Sequence, residues 1–240
     1  PVQYVIRTQS DFRGYSVTVA SGTIRVGEEI VVLPSGKISC IKEIFDCGNS
    51  IGEANTYDGG VLVRNQNVII VTINYRLGPF GWLYHPDLIP EDASPADKSG
   101  NYGTLDIIQA MQWVQTNRSA MGGDPNNVTV FGESAGGRNT FSILVSPLAK
   151  GLFHRAISQS GSSALLDLDH AQNSMPTASQ PMVKTMVEEF GLTHPLDLRS
   201  VDAKKILRSY TTEGDIMIDM PNVFTDGYVL PAMSGLEAFA

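Results

Sequence analysis

The chain has 240 residues, 42% of them hydrophobic and 18% charged, with a formal net charge of −8. That is enough apolar material for one large domain or two small ones, and the lack of polar low-complexity tracts argues against extensive disorder. The acidic balance argues against a nucleic-acid binder, which needs a basic patch to release counterions from phosphates. No apolar run approaches the ~20 residues of a membrane span.

Residues 1–46 read as short strands. Alternating or β-branched runs at 2–7, 15–20, 28–33 and 38–45 are separated by Gly14, Gly22, Gly27 and the Pro34-Ser35-Gly36 turn. This spacing suits part of an antiparallel barrel or sandwich. From Gly59-Gly60 onward the texture changes. The run VIIVTI at 68–73 lacks alternation, as expected of a parallel strand covered on both faces. A loop rich in Pro, Asp, Ser and Gly follows over 79–103. Leu105, Ile108, Met111, Trp113 and Val114 then recur at helical spacing, ending near Asn117. A strand at 128–131 leads into Gly132-Glu133-Ser134-Ala135-Gly136-Gly137. Beyond it lie a helical stretch, a strand near 156–158, and helical patterns at 182–190 and 201–210. This alternation predicts an α/β domain, a mostly parallel sheet with flanking helices, from about residue 57 onward.

Two cysteines, Cys40 and Cys47, are too few for a disulfide framework and match no zinc-ligand spacing, so reduced thiols are expected. No metal or cofactor site is expected. The first residue is Pro1 and no signal-peptide pattern follows, which reads as a processed product or a fragment.

Gly132-x-Ser134-x-Gly136 between a strand and a helix is the pattern of a nucleophile elbow. It needs a serine held in a strained, tight turn, with glycines at the two flanking positions where side chains would clash. The helix beginning at Ala135 points its first N–H groups at the place where a negative oxygen would develop.

Several stretches resemble type-B carboxylesterases, the family that includes cholinesterase-like enzymes. Lying in the segment from about residue 47 to 240, they are Tyr57-Asp58-Gly59, Val71-Thr72-Ile73-Asn74-Tyr75-Arg76-Leu77-Gly78, Gly100-Asn101-Tyr102-Gly103-Thr104-Leu105-Asp106, the run from Gly122 to Gly137, and Phe153-His154-Arg155-Ala156-Ile157-Ser158-Gln159-Ser160-Gly161, with Asp226-Gly227 and Pro231 later. The resemblance implies an α/β-hydrolase fold and hydrolysis of a small-molecule carboxylic ester through an acyl-enzyme on Ser134. Ala135 and Gly48 would give backbone N–H groups to the oxyanion hole, while Cys47 stands where a further glycine is expected. Glu133, beside the nucleophile, is normal for the family. Arg138 and Asn139, on the following helix, are expected to meet solvent or loops.

The same resemblance places the catalytic acid and histidine after the Asp226-Gly227 segment, so both are expected to be absent and the chain nearly inactive alone. Local substitutes, namely His154, His170 with Asp169, and His194 with Glu188 or Glu189, occur at no recognisable strand end. A base must come within about 3 Å of the serine oxygen.

Residues 1–46, through Pro1-Val2-Gln3-Tyr4-Val5, Asp11-Phe12-Arg13-Gly14-Tyr15, Ala20-Ser21-Gly22 and Val32-Leu33-Pro34-Ser35-Gly36-Lys37, resemble the β-barrel domain of the large GTP-binding subunit of sulfate adenylyltransferase. Gly36-Lys37 is no phosphate loop, because no glycine stands five residues before Gly36. The expected architecture is thus a partial antiparallel barrel segment joined to a truncated hydrolase domain, a chimera or fragment. A non-catalytic esterase-like binding module and a sulfate-activation component are the competing functional readings.

Overall fold

The computed structural model describes residues 2–7, 13–17, 29–32, 37–40, 59–174, 178–210, 222–233 and 237. The chain divides into two units, 1–66 and 67–240.

In the first unit, strands β1 (Val2–Arg7) and β2 (Arg13–Val17) pair antiparallel, with Val5 opposite Tyr15. A second antiparallel pair joins β3 (Glu29–Val32) to β4 (Lys37–Cys40), with Ile30 opposite Ser39. The expected short strands therefore form as two hairpins. A short helix, α1 (Gly60–Gln66), ends the unit and exposes its apolar Val61, Leu62 and Val63.

The second unit contains the α/β part. After a one-turn helix, α2 (Gly78–Gly81), the long helix α3 (Tyr102–Asn117) forms where the apolar spacing predicts it. It buries Ile107, Ile108 and Met111. Then β5 (Thr129–Glu133), α4 (Ala135–Val145) and β6 (Arg155–Gln159) make a β–α–β unit. The two strands are parallel, with Phe131 opposite Ile157, and α4 packs against both. Alternate residues of each strand are covered, so one sheet face lies under α4 while the other exposes Phe131 and Ile157. Helices α5 (Leu168–Asn173), α6 (Ser179–Glu189) and α7 (Ala203–Tyr210) follow.

Two apolar clusters hold this unit together. Trp82, Ile107, Ile108, Met111, Ile143 and Phe224 belong to the larger one. Val183, Met186 and Leu198 centre the other. The Asn74-Tyr75-Arg76 stretch is tied to α3 by side chains. The Arg76 guanidinium grips Asp106 through Nε and Nη2, each at 2.8 Å, and lies over the Tyr102 ring. Tyr75 meets the Trp82 ring edge-on at 5.9 Å.

One expectation is corrected. The apolar run at 68–73 is not a strand; residues 67–77 have no regular secondary structure, and Val68, Ile69, Val71 and Ile73 are 36–47% exposed. A strand exists only as part of a ladder, and among the described residues none pairs with this run. Hydrophobicity without alternation shows that a segment favours burial, not that a partner is available. Among the described residues, no helix is long and apolar enough to cross a membrane.

Candidate active site

The site is built at the carboxyl ends of β5 and β6. Ser134 is the one residue between β5 and α4. Its φ of 54° and ψ of −110° lie outside the regions an L-residue ordinarily adopts, at a cost of about 1–3 kcal/mol. The surrounding contacts enforce that geometry. The Ser134 N–H donates to the Gln159 carbonyl at 2.9 Å, carrying the β5–β6 ladder one residue past the strand end. The Arg138 N–H donates to the Ser134 carbonyl at 3.0 Å, starting α4 immediately. The backbone must therefore reverse within one residue, which thrusts the exposed Ser134 side chain outward.

Glycine at 132 is a steric requirement. A Cβ there would stand 2.3 Å from the Gly136 carbonyl oxygen and 2.4 Å from its carbon, and no rotamer relieves a clash of Cβ with backbone. Gly136 is different from expectation: a Cβ there meets nothing within 4 Å. The turn thus needs the first flanking glycine to make room for the backbone of the second. A similar close approach joins α4 to the segment after β6, where a Cβ on Gly161 would lie 2.4 Å from the Gly137 carbonyl carbon. The Ser158 hydroxyl donates to the Gly137 carbonyl at 3.1 Å across the same crossing.

Ala135 is the first residue of α4, so its N–H has no acceptor within the helix and stands next to Ser134. The structure brings together these two of the three predicted site residues. Gly48, the other, lies outside the described residues, as does Cys47. Glu133 is exposed on the alternate strand face from the one α4 covers.

Three of the four histidines, His85, His154 and His194, use Nδ1 in local hydrogen bonds. His154 accepts from the Val128 N–H on Nδ1 at 3.2 Å and donates its own N–H to the Val128 carbonyl at 2.8 Å. Val128 precedes β5, six residues before Ser134, which at about 3.3 Å per residue sets His154 roughly 20 Å from the serine along the strand. His194 caps the turn Pro195–Ser200, its Nδ1 accepting from the Leu196 N–H at 3.1 Å. Asp169 accepts from Asn173, Glu188 faces Lys184, and Glu189 accepts from Ser209. Among the described residues no hydrogen bond joins any of these carboxylates to His170 or His194.

His85 is buried, and its Nδ1 accepts from the Asp87 N–H at 3.2 Å. Burial lowers its pKa below the usual 6.5, since the charged form loses its water; Asp87 and Gln180 oppose this and His194 adds to it. The unfolded chain then binds a proton that the folded chain resists. Stability is expected to be full above about pH 6.5 and to decline as pH falls from there through the lowered folded value. Urea midpoints measured at pH 7 and 5.5 should drop more for the natural chain than for His85→Gln; equal drops would refute this.

The model of the family described as "Carboxylesterase family" matches residues 35–234. The chain belongs to this carboxylesterase family. The match begins at residue 35, inside the segment 1–46 that was expected to belong to a separate module. Liver carboxylesterase 1 of Oryctolagus cuniculus is 45% identical over 133 residues, which cover 55% of this chain and 22% of that protein. Carboxylesterase 1E of Mus musculus is 39% identical over 219 residues, covering 83% of this chain and 36% of that protein. The solved structure of PNB esterase is similar with a TM-score of 0.64 at 34% identity, over 79% of this chain and 39% of its own. The fold is therefore that of an α/β-hydrolase, and the chain spans between about a fifth and about a third of the length of these curated carboxylesterases.

Of the two α4 residues expected to meet solvent or loops, Arg138 meets a loop residue, Asn222, and Asn139 does not. Asn139 is buried at 7% exposure rather than facing solvent, because α4 packs against both strands. Arg138 is half-buried, and its guanidinium Nη1 donates to the Asn222 side-chain oxygen from a segment 84 residues away. The spacing from Ser134 to Arg138 held a signal, since residues four apart share a helix face.

Proposed function

We propose that this chain carries the nucleophile of a carboxylic-ester hydrolase that acts on small-molecule esters, with Ser134 as the attacking group. The strained, exposed serine between a parallel strand and a helix supports this reading most directly. Its hydroxyl oxygen attacks the ester carbonyl while the hydroxyl proton passes to a base. The Ala135 N–H donates to the oxyanion that forms. Collapse expels the alcohol, which takes up a proton, and leaves an acyl group on Ser134 that water then removes.

The proton transfer is the weak step. His154 and His194 hold bonds to backbone groups other than Ser134, and loss of a triad histidine can cost on the order of 10⁶ in rate. An oxyanion donor and binding alone can retain about 10³–10⁴ over water. The chain on its own is therefore a slow acyl acceptor with little turnover.

Prolonged incubation of the folded protein with excess fluorophosphonate should add one phosphonyl group by intact mass, and Ser134→Ala should abolish the adduct. An adduct that persists in the mutant would overturn the assignment, as would an unmodified natural chain with a folded circular-dichroism spectrum.

A further inference from the structure

We propose that His85 and His194 form an acid-sensitive latch: each caps a short turn through an unprotonated ring nitrogen, and together they hold residues 178–206 against the segment 83–88 until protonation releases it. The inference stands apart from the reading of Ser134.

The two histidines repeat one local design. Each stands before a proline and caps a turn, His85 over Pro86–Leu88 and His194 over Pro195–Ser200. In both, Nδ1 accepts the N–H two residues on, from Asp87 at 3.2 Å and from Leu196 at 3.1 Å. A ring nitrogen that accepts such a bond holds no proton, so the capped state requires the neutral imidazole. A proton on Nδ1 would set donor against donor, and the cap would be lost.

The two capped turns pack on each other and share one apolar cluster. Leu83 and Leu88 enter it from the first segment, and Val183, Met186 and Leu198 from the second. Polar ties cross the same seam. The Tyr84 N–H donates to the Ser179 hydroxyl at 3.2 Å, Gln180 hydrogen-bonds the His85 ring, and Arg199 Nη1 donates to the Leu88 carbonyl at 3.2 Å. His85 is buried within this seam. Trp82, just before the segment, belongs instead to the larger cluster with Ile107 of α3 and Ile143 of α4. The seam can therefore open while α3 and α4 stay packed.

The charges around His85 set the direction. Asp87 of its own turn favours the cation, as does the neutral Gln180 of α6, whereas His194 of the facing turn opposes it. Arg199 meets the end of the His85 turn at Leu88, and Asp197 accepts the His194 N–H at 3.1 Å. Burial outweighs Asp87, so the closed seam favours the neutral ring and proton uptake favours the open one.

Amide hydrogen exchange of the natural chain at about pH 7.5 and about pH 5, corrected for the intrinsic effect of pH on amide rates, tests the latch. Protection over α6 should fall about tenfold at the lower pH, while α3 and α4 keep theirs. Nuclear magnetic resonance titration of the His85 ring gives a second reading without mutation. Its midpoint should lie below 6.5 and coincide with the loss of protection. Replacing both histidines by asparagine, His85→Asn with His194→Asn, keeps an oxygen to accept each capping bond and removes the titrating group. That variant should hold α6 equally closed at both pH values. Unchanged α6 protection in the natural chain, a uniform loss over α3, α4 and α6, a His85 midpoint apart from the opening, or acid release that persists in the asparagine variant would overturn the proposal.

Discussion

Gly132→Ala is expected to unmake the elbow, while Gly136→Ala leaves it standing. Both glycines belong to the same five-residue motif, and sequence gives no reason to rank them. The structure does. The new methyl at 132 would sit 2.3 Å from the Gly136 carbonyl oxygen, well inside contact distance, and both atoms are fixed by β5 and the first turn of α4. Relief requires the strand end or the helix start to move. We expect a loss of about 3 kcal/mol, toward the upper end for overpacked sites, together with loss of Ser134 phosphonylation. At 136 the methyl enters open space on a helix where alanine is favoured over glycine by about 1 kcal/mol. Urea midpoints and probe labelling of the two variants check this. Similar losses in both would mean that the turn is not built as described.

This asymmetry marks how much of the site was legible beforehand. Position, order and type of β5, α4 and β6 follow from local pattern, because a short apolar run, a Gly-Ser-Gly turn and a helical stretch report on neighbouring residues. α3 was legible for the same reason, its apolar positions recurring every three or four residues. The run at 68–73 was misread because apolar content without alternation identifies no partner strand. Phe131 and Ile157 make a related point. They lie opposite each other and are 53% and 51% exposed, although each sits in a strand that would be covered on both faces in a larger sheet. Arg138 was expected to meet solvent or loops, but which loop residue it meets was illegible because Asn222 is 84 positions distant.

The same distance argument applies to Asp226, where substitution should cost most. Sequence resemblance flags Asp226-Gly227 without saying what the pair does. In the structure the carboxylate closes a tight turn, accepting from the N–H groups of Tyr228, Val229 and Leu230 at 2.9, 2.8 and 3.2 Å. It also accepts from the Asn101 side-chain amide at 2.6 Å, across 125 residues of sequence. Asn101 is fully buried at the start of α3, and the same amide donates to the Phe224 carbonyl at 2.8 Å. Phe224, Val229 and Leu230 are at most 1% exposed, so water cannot readily replace a lost acceptor. Each buried group left unsatisfied costs about 1–3 kcal/mol, and Asp226→Ala should therefore lose about 4 kcal/mol. That is a large part of the ~5–15 kcal/mol typical of a domain.

Asp226→Asn should not rescue this loss, because its amide would face donors where the carboxylate offers acceptors. Since Asn101 and Asp226 act through one shared bond, Asn101→Ala and Asp226→Ala should cost less together than the sum of the two. Urea denaturation of the two single mutants and the double mutant closes the cycle. Additive losses, or a cost near zero for Asp226→Ala, would show that the turn is held by the packing of Phe224, Val229 and Leu230 instead. The coupling matters to the site because the segment anchored by Asp226 also carries Asn222, which holds Arg138 one turn from Ser134.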